Sequence, residues 1–277
     1  MLIDVRSVRI MCVGVCAAVF LFSTCRTNAP DVTPEDAGST LTLQTYFSRT
    51  TGVDRHCYVY TPPGYAKSRK YGVLYVLHGI GGTENEWPGN GTPQQIMDAL
   101  YDEGAAAPML LVFPNGRAMN PDTVPPDMFS AEAQAAFARF EQDLIKDLIP
   151  FIEKNYSVQT DRDHRGICGL SMGGGQALNF GLGHPELFSC VGAFSPAPNT
   201  DSRLFNVENK DAWSVIWILC GEADDLLSIA ENTDAFLTAH DIPHVFKTMP
   251  GRHDWGVWKA GLREFVPLVF LDGNNPP

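Results

Sequence analysis

The stretch ICGLSMGGGQAL, residues 167–178, sets one serine among four glycines, Gly169, Gly173, Gly174 and Gly175. A glycine inside a helix costs about 0.5–1 kcal/mol relative to alanine. Three in succession therefore need a compensating purpose. Gly169-Leu170-Ser171-Met172-Gly173 fits G-x-S-x-G, with a strand-like run (HRGICGL) before it and a helical pattern (SMGGGQALNFGLGHP) after it. Strand, sharp turn and helix in that order lift a serine hydroxyl above the carboxyl edge of a sheet. The turn strains the serine backbone, so its close neighbours must lack a Cβ. That accounts for Gly169 and Gly173. Gly174 and Gly175 are then expected to let the helix lie close against the sheet. A phosphate cradle would need G-x-x-x-x-G-K-[ST] or G-x-G-x-x-G, and the stretch has neither. A purely structural glycine turn stays open until a base and an acid are found.

Working outward, short β-type runs alternate with helical ones. LTLQTYFS and RHCYVYTP alternate apolar residues across TTGVD, as an opening antiparallel pair does. YGVLYVLHG, PMLLVFPNG, FSCVGAFSP and WSVIWILCG are continuous apolar runs, as strands covered on both faces are. TPQQIMDALYDEG reads as a helix with Thr92 as its cap and Pro93 in its first turn. Between Ala131 and Tyr156, apolar residues recur at three and four, giving a long amphipathic helix that Pro150 should kink. DLLSIAENTDAFLTAHD reads as a helix, HVFKTMPG as a strand and DWGVWKAGLREFVPLVF as a final helix. Such alternation implies an α/β fold, with a mostly parallel central sheet and helices on both faces. The irregular stretch Asn115 to Ser130 is long for a passive connection. It follows a strand's carboxyl end, so it is expected to be a substrate-side loop.

The chain has 277 residues, enough for one sizeable core. A net charge of -12 argues against nucleic acid and anionic membrane as partners. Arg6 and Arg9 precede an apolar run, Ile10 to Phe22, which is short for a membrane span and fits a secretory leader. The expected organisation is a leader over 1–25, a linker over 26–40 and one catalytic domain over 41–277. Export is the expected destination, outside the cell, in the periplasm or at the bacterial surface. LFSTC ends in Cys25 and is similar to a lipoprotein box, so a lipid anchor at Cys25 is an open alternative. Cys57, Cys168, Cys190 and Cys220 show neither CxxC nor a metal-ligand spacing with histidine, and free buried thiols are expected. No metal and no cofactor are implied.

A serine nucleophile needs a base, and the base an orienting carboxylate, in the chain order Ser, Asp or Glu, His. His253 follows the strand HVFKTMP on the same sheet edge as Ser171, whereas His240 and His244 flank the amino end of that strand and His184 ends a helix. The acid should follow WSVIWILC, where GEADD offers Glu222, Asp224 and Asp225, and Asp224 is preferred over Asp225. The oxyanion donors should be the N–H of Met172, at a helix N-terminus, and that of Ile80 in VLHGIGG. Trp87 and Trp255 lie beside these loops and are candidate substrate-stacking residues. Trp213, Trp217 and Trp258 read as core.

LHGIGGTENEW, DRDHRGICGLSMGGGQAL, SPAPNT, CGEADDLL and GRHDWGVWKAGL together resemble carbohydrate esterase family 1 over roughly residues 41–270. The resemblance lies toward its bacterial feruloyl and acetyl xylan esterases. It implies an α/β-hydrolase fold, Ser171 as nucleophile, His253 as base, Asp224 as acid and the Ile80 and Met172 amides as oxyanion hole. It implies removal of feruloyl, related hydroxycinnamoyl or acetyl groups from a xylan-type polysaccharide. A siderophore esterase on the same fold and a non-catalytic carbohydrate-binding relative are the alternatives. Cytosolic glutathione-thioester hydrolysis fits poorly with an exported chain.

Overall fold

Two rows of apolar side chains per strand decide the architecture. In β3 (Gly72–Leu77), Val73, Tyr75 and Leu77 face one core while Leu74 and Val76 face another. Only a sheet covered on both sides satisfies such a strand. The computed structural model describes residues 38–270. The leader expected over 1–25 with its Cys25, the linker up to residue 37 and residues 271–277 lie outside them.

The described residues build one eight-stranded sheet in the order β1-β2-β4-β3-β5-β6-β7-β8. β1 (Thr40–Ser48) and β2 (Val53–Thr61) form the expected antiparallel hairpin, and β2 also runs antiparallel to β4 (Met109–Pro114). β3, β4, β5 (Arg165–Leu170), β6 (Cys190–Phe194), β7 (Val215–Gly221) and β8 (Val245–Met249) are parallel to one another. Helices α1 (Pro93–Asp102) and α6 (Trp255–Phe265) cover one face. Helices α2 (Ala131–Asp143), α3 (Ile149–Asn155), α4 (Met172–Gly183) and α5 (Leu227–Ala239) cover the other. This is the α/β-hydrolase arrangement. Parallel strands bring their carboxyl ends to one edge, which is where the loops after β3, β5, β7 and β8 converge.

Two local expectations change. Thr92 does not cap α1 with its side chain, because it sits in the left-handed region (φ 48°) at the end of a π turn over Trp87–Gly91. Pro93 does occupy the first helical turn. The long helix over 131–156 is divided ahead of Pro150, where Leu144–Leu148 widen into a π turn. Proline clashes with the carbonyl four residues before it and offers no N–H, and a wider turn relieves both. Cys57, Cys168, Cys190 and Cys220 are free and buried, as expected. Among the described residues no helix is long and apolar enough to cross a membrane.

Candidate active site

The turn between β5 and α4 holds Ser171 at φ 52° and ψ -121°, a conformation that L-residues rarely adopt. Backbone bonds hold it there: its N–H donates to Phe194 O (2.9 Å), and its C=O accepts from Ala197 N–H (3.1 Å). The flanking glycines are required by contact. A Cβ on Gly173 would lie 2.5 Å from His78 O and 2.7 Å from Leu77 C, and one on Gly169 would lie 2.5 Å from Gly173 O. These obstacles are backbone and cannot rotate away. Gly173→Ala is therefore expected to lose at least about 3 kcal/mol of stability, well beyond the ordinary helix gain of alanine over glycine. Chemical denaturation of the variant beside the wild type measures it. Gly174 fits the expected close approach, with Phe194 O and Pro196 Cα just beyond it. Gly175 instead faces the side-chain amide of Asn199.

The neighbouring loops after β7 and β8 are tied to each other. Glu222 N–H donates to Met249 O (2.8 Å) and Ala223 N–H to Gly251 O (2.9 Å). That tie sets Asp224 opposite His253, whose Nδ1 stands 2.9 Å from Asp224 Oδ2 while its Nε2 stands 2.9 Å from Ser171 Oγ. A carboxylate only accepts, so Nδ1 carries the proton and Nε2 is left to accept from the serine hydroxyl. Burial pushes the Asp224 carboxyl up. The Leu226 N–H (2.8 Å), the Ser195 hydroxyl and His253 outweigh it and hold the group below its usual range. Asp224 is buried and faces His253, whereas Asp225 is exposed. Trp258, buried as expected, meets the His253 ring edge-on at 5.0 Å and limits its rotation. Such a chain can take a proton from the serine oxygen as it attacks and return it to a leaving group.

The N–H groups of Ile80 and Met172 have no protein acceptor among the described residues. Gly79, next to Ile80, brings its Cβ position within 3.6 Å of Ser171 Cβ, so the loop after β3 adjoins the elbow. Beside both residues opens a cavity of about 370 Å³, lined by Ile80, Met172, Phe129, Phe137, Phe180 and Leu204 among others. Phe129 belongs to the Asn115–Ser130 segment, which thus contributes to the cavity lining. Trp255 is half-buried and stands at right angles to Trp87 (5.2 Å) and Trp258 (5.2 Å). Trp87 corrects the expectation made of it. It is 1% exposed, and its Nε1–H donates to Leu77 O (3.0 Å). The chain folds back beneath β3 at this point, so the indole fills the core and offers substrate no face. Among the described residues no cluster of histidine, cysteine or carboxylates is arranged to hold a metal ion.

Sequence reasoning missed three residues. Ser195, fully buried with φ 50°, supplies a hydroxyl to Asp224. Its signal is its place at the carboxyl end of β6, between Ser171 and the acid. His78 is buried, and burial holds its pKa at about 4, hence neutral. Arg117 is buried behind the loop after β3. Neither carries a periodic signal of its own.

The Esterase family model matches residues 48–268 of the chain. An endo-1,4-beta-xylanase/feruloyl esterase of Xylanibacter ruminicola is 29% identical over 231 residues, which are 82% of this chain and 31% of that protein. Endo-1,4-beta-xylanase Y of Acetivibrio thermocellus is 32% identical over 127 residues, which are 42% of this chain and 10% of that protein. The chain therefore spans 31% or less of the length of either relative. A solved CE1 ferulic acid esterase from Anaeromyces mucronatus, in complex with ferulic acid, is 29% identical with a TM-score of 0.76, covering 84% of this chain and 91% of that one. An S-formylglutathione hydrolase from Staphylococcus aureus, 17% identical with a TM-score of 0.64, shares the fold. With its α/β-hydrolase sheet and a family match that runs from the end of β1 to the end of α6 and beyond, the chain belongs to the Esterase family.

Proposed function

We propose that the chain removes hydroxycinnamoyl groups, feruloyl foremost, from a xylan-type polysaccharide. Ser171 attacks the ester carbonyl while His253 Nε2 takes its proton. Asp224 holds the imidazole in the required tautomer and stabilises its charged form. The Ile80 and Met172 N–H groups receive the oxyanion. His253 then protonates the leaving sugar alcohol, and water hydrolyses the acyl-enzyme by the same route.

The observation that carries the acyl preference is the aromatic-lined cavity beside Ile80 and Met172. At about 370 Å³ it suits a phenylpropenoyl group, and an acetyl group would leave most of it empty. Among the described residues its lining includes Glu141 and neither lysine nor arginine, which disfavours a siderophore or other anionic acyl group. Trp255, half-buried and two residues after His253, is the candidate for stacking on the sugar. The proposed site of action is outside the cytoplasm, on the strength of the leader-like stretch from Arg6 to Phe22.

A side-by-side rate comparison on methyl ferulate, acetylated xylan and a linear siderophore ester tests this reading. Methyl ferulate is expected to lead in kcat/KM by at least about tenfold, as a filled aromatic pocket allows. Acetylated xylan as the faster substrate would overturn the acyl assignment while leaving the esterase chemistry standing.

A further inference from the structure

The loop that carries the Ile80 N–H is Gly79-Ile80-Gly81-Gly82. Three of its four residues have no side chain, so within the loop only the backbone bond from Gly82 to Gly79 braces it. Yet an oxyanion donor works only if its direction is fixed before the reaction. The side-chain anchors come from outside. His78 Nε2 accepts the Gly116 N–H (2.7 Å), which leaves its proton on Nδ1, and Nδ1–H donates to Gly79 O (2.6 Å). Gly82 N–H donates to the same oxygen (3.1 Å), and Gly79 N–H to Glu86 Oε2 (2.7 Å). Gly79 C=O and Ile80 N–H belong to one planar trans peptide, so pinning the oxygen aims the N–H the opposite way.

The next peptide is held by Arg117. Its Nη1 donates to Ile80 O (3.2 Å) and its Nη2 to Gly82 O (3.3 Å). The side chain is fully buried and lies over the Phe137 ring (5.7 Å). Its fork is spent on loop carbonyls rather than on a bidentate carboxylate. We infer that Arg117 is a positioning residue for the oxyanion hole, a buried cation that grips the Ile80 loop and lends positive charge to the side where the oxyanion forms. Burial works against that charge, with Asp122 only in part opposing it. The cation is thus kept at an energetic cost on the loop that carries the Ile80 N–H, where a low dielectric makes it count for more. The inference rests on Ser171 as nucleophile and Ile80 as oxyanion donor.

Arg117→Lys and Arg117→Gln in the full chain test it, assayed on 4-nitrophenyl acetate with Ser171→Ala alongside. Phenylboronic acid, which forms a tetrahedral adduct on a serine, and the planar product ferulate serve as inhibitors. The expected result is a loss of about 10- to 100-fold in kcat with KM little changed. Phenylboronate binding should weaken by the same factor as kcat/KM, ferulate binding should not, and Lys should fall between Gln and wild type because it keeps the charge. Should Arg117→Gln fail to fold, Arg117→Lys reads the same quantities. Folded variants with wild-type kcat and phenylboronate affinity would overturn the inference. So would equal weakening of phenylboronate and ferulate, which marks a general disruption of the site. An active Ser171→Ala enzyme would instead sink the nucleophile assignment, whereas an inactive one beside unaffected Arg117 variants sinks only the role of Arg117.

Discussion

Ser171→Ala is expected to lower kcat on methyl ferulate by about 10⁶-fold, the scale of removing a nucleophile from a Ser-His-Asp unit. The fold should persist. The change deletes one hydroxyl, whose partner is His253 Nε2, and leaves in place the backbone bonds from Ser171 to Phe194 and Ala197 that hold the turn. A residual rate over water should remain, because the Ile80 and Met172 amides still bind the developing charge. Steady-state kinetics measures the loss, and a thermal melt with circular dichroism checks the fold. A folded variant with activity near wild type would falsify the assignment of Ser171.

Asp224→Asn should cost about 10⁴-fold in kcat, while Asp225→Asn should stay within about twofold of wild type. Asp224 Oδ2 accepts from His253 Nδ1, and asparagine can offer an N–H there instead. The imidazole would then carry its proton on Nε2, facing Ser171 Oγ, and could no longer accept from it. Asp225 is exposed in the next position and contacts neither residue. Equal losses in the two variants would show that the acidic pair acts through its summed charge rather than through one hydrogen bond. The kinetics of both variants on one substrate settle this.

What was legible in advance follows from what is local. The strands reveal themselves because a sheet covered on both faces needs unbroken apolar runs, as in YGVLYVL and PMLLVFP. The elbow reveals itself because its strand, serine, flanking glycines and helix follow one another within a few residues of Ser171, and the carboxyl ends of parallel strands must share an edge. Trp87 and the Asp224/Asp225 pair show where such reasoning stops. Position beside a loop says nothing about which way an indole turns. Trp87 turned inward because Leu77 O, ten residues earlier, accepts its Nε1–H and the core beneath β3 had room for the ring. Nor can two adjacent aspartates be ranked until the β7 and β8 loops are zipped together, since that register decides which carboxylate meets His253.

By itself, then, the sequence determined the α/β class, the glycine-flanked turn at Ser171 and the chain order of the serine, aspartate and histidine proposed as nucleophile, acid and base, because each rests on periodicity, chain order or local pattern. Tertiary structure alone decided which aspartate meets His253, that Trp87 is core and that an aromatic cavity opens beside Ile80. It also decided that Ser195, His78 and Arg117 support the site. These depend on hydrogen bonds and packing between residues that are far apart in the chain, such as Arg117 Nη1 to Ile80 O. No local pattern encodes such pairs, for the energy that selects them exists only once the sheet has brought its loops to a common edge.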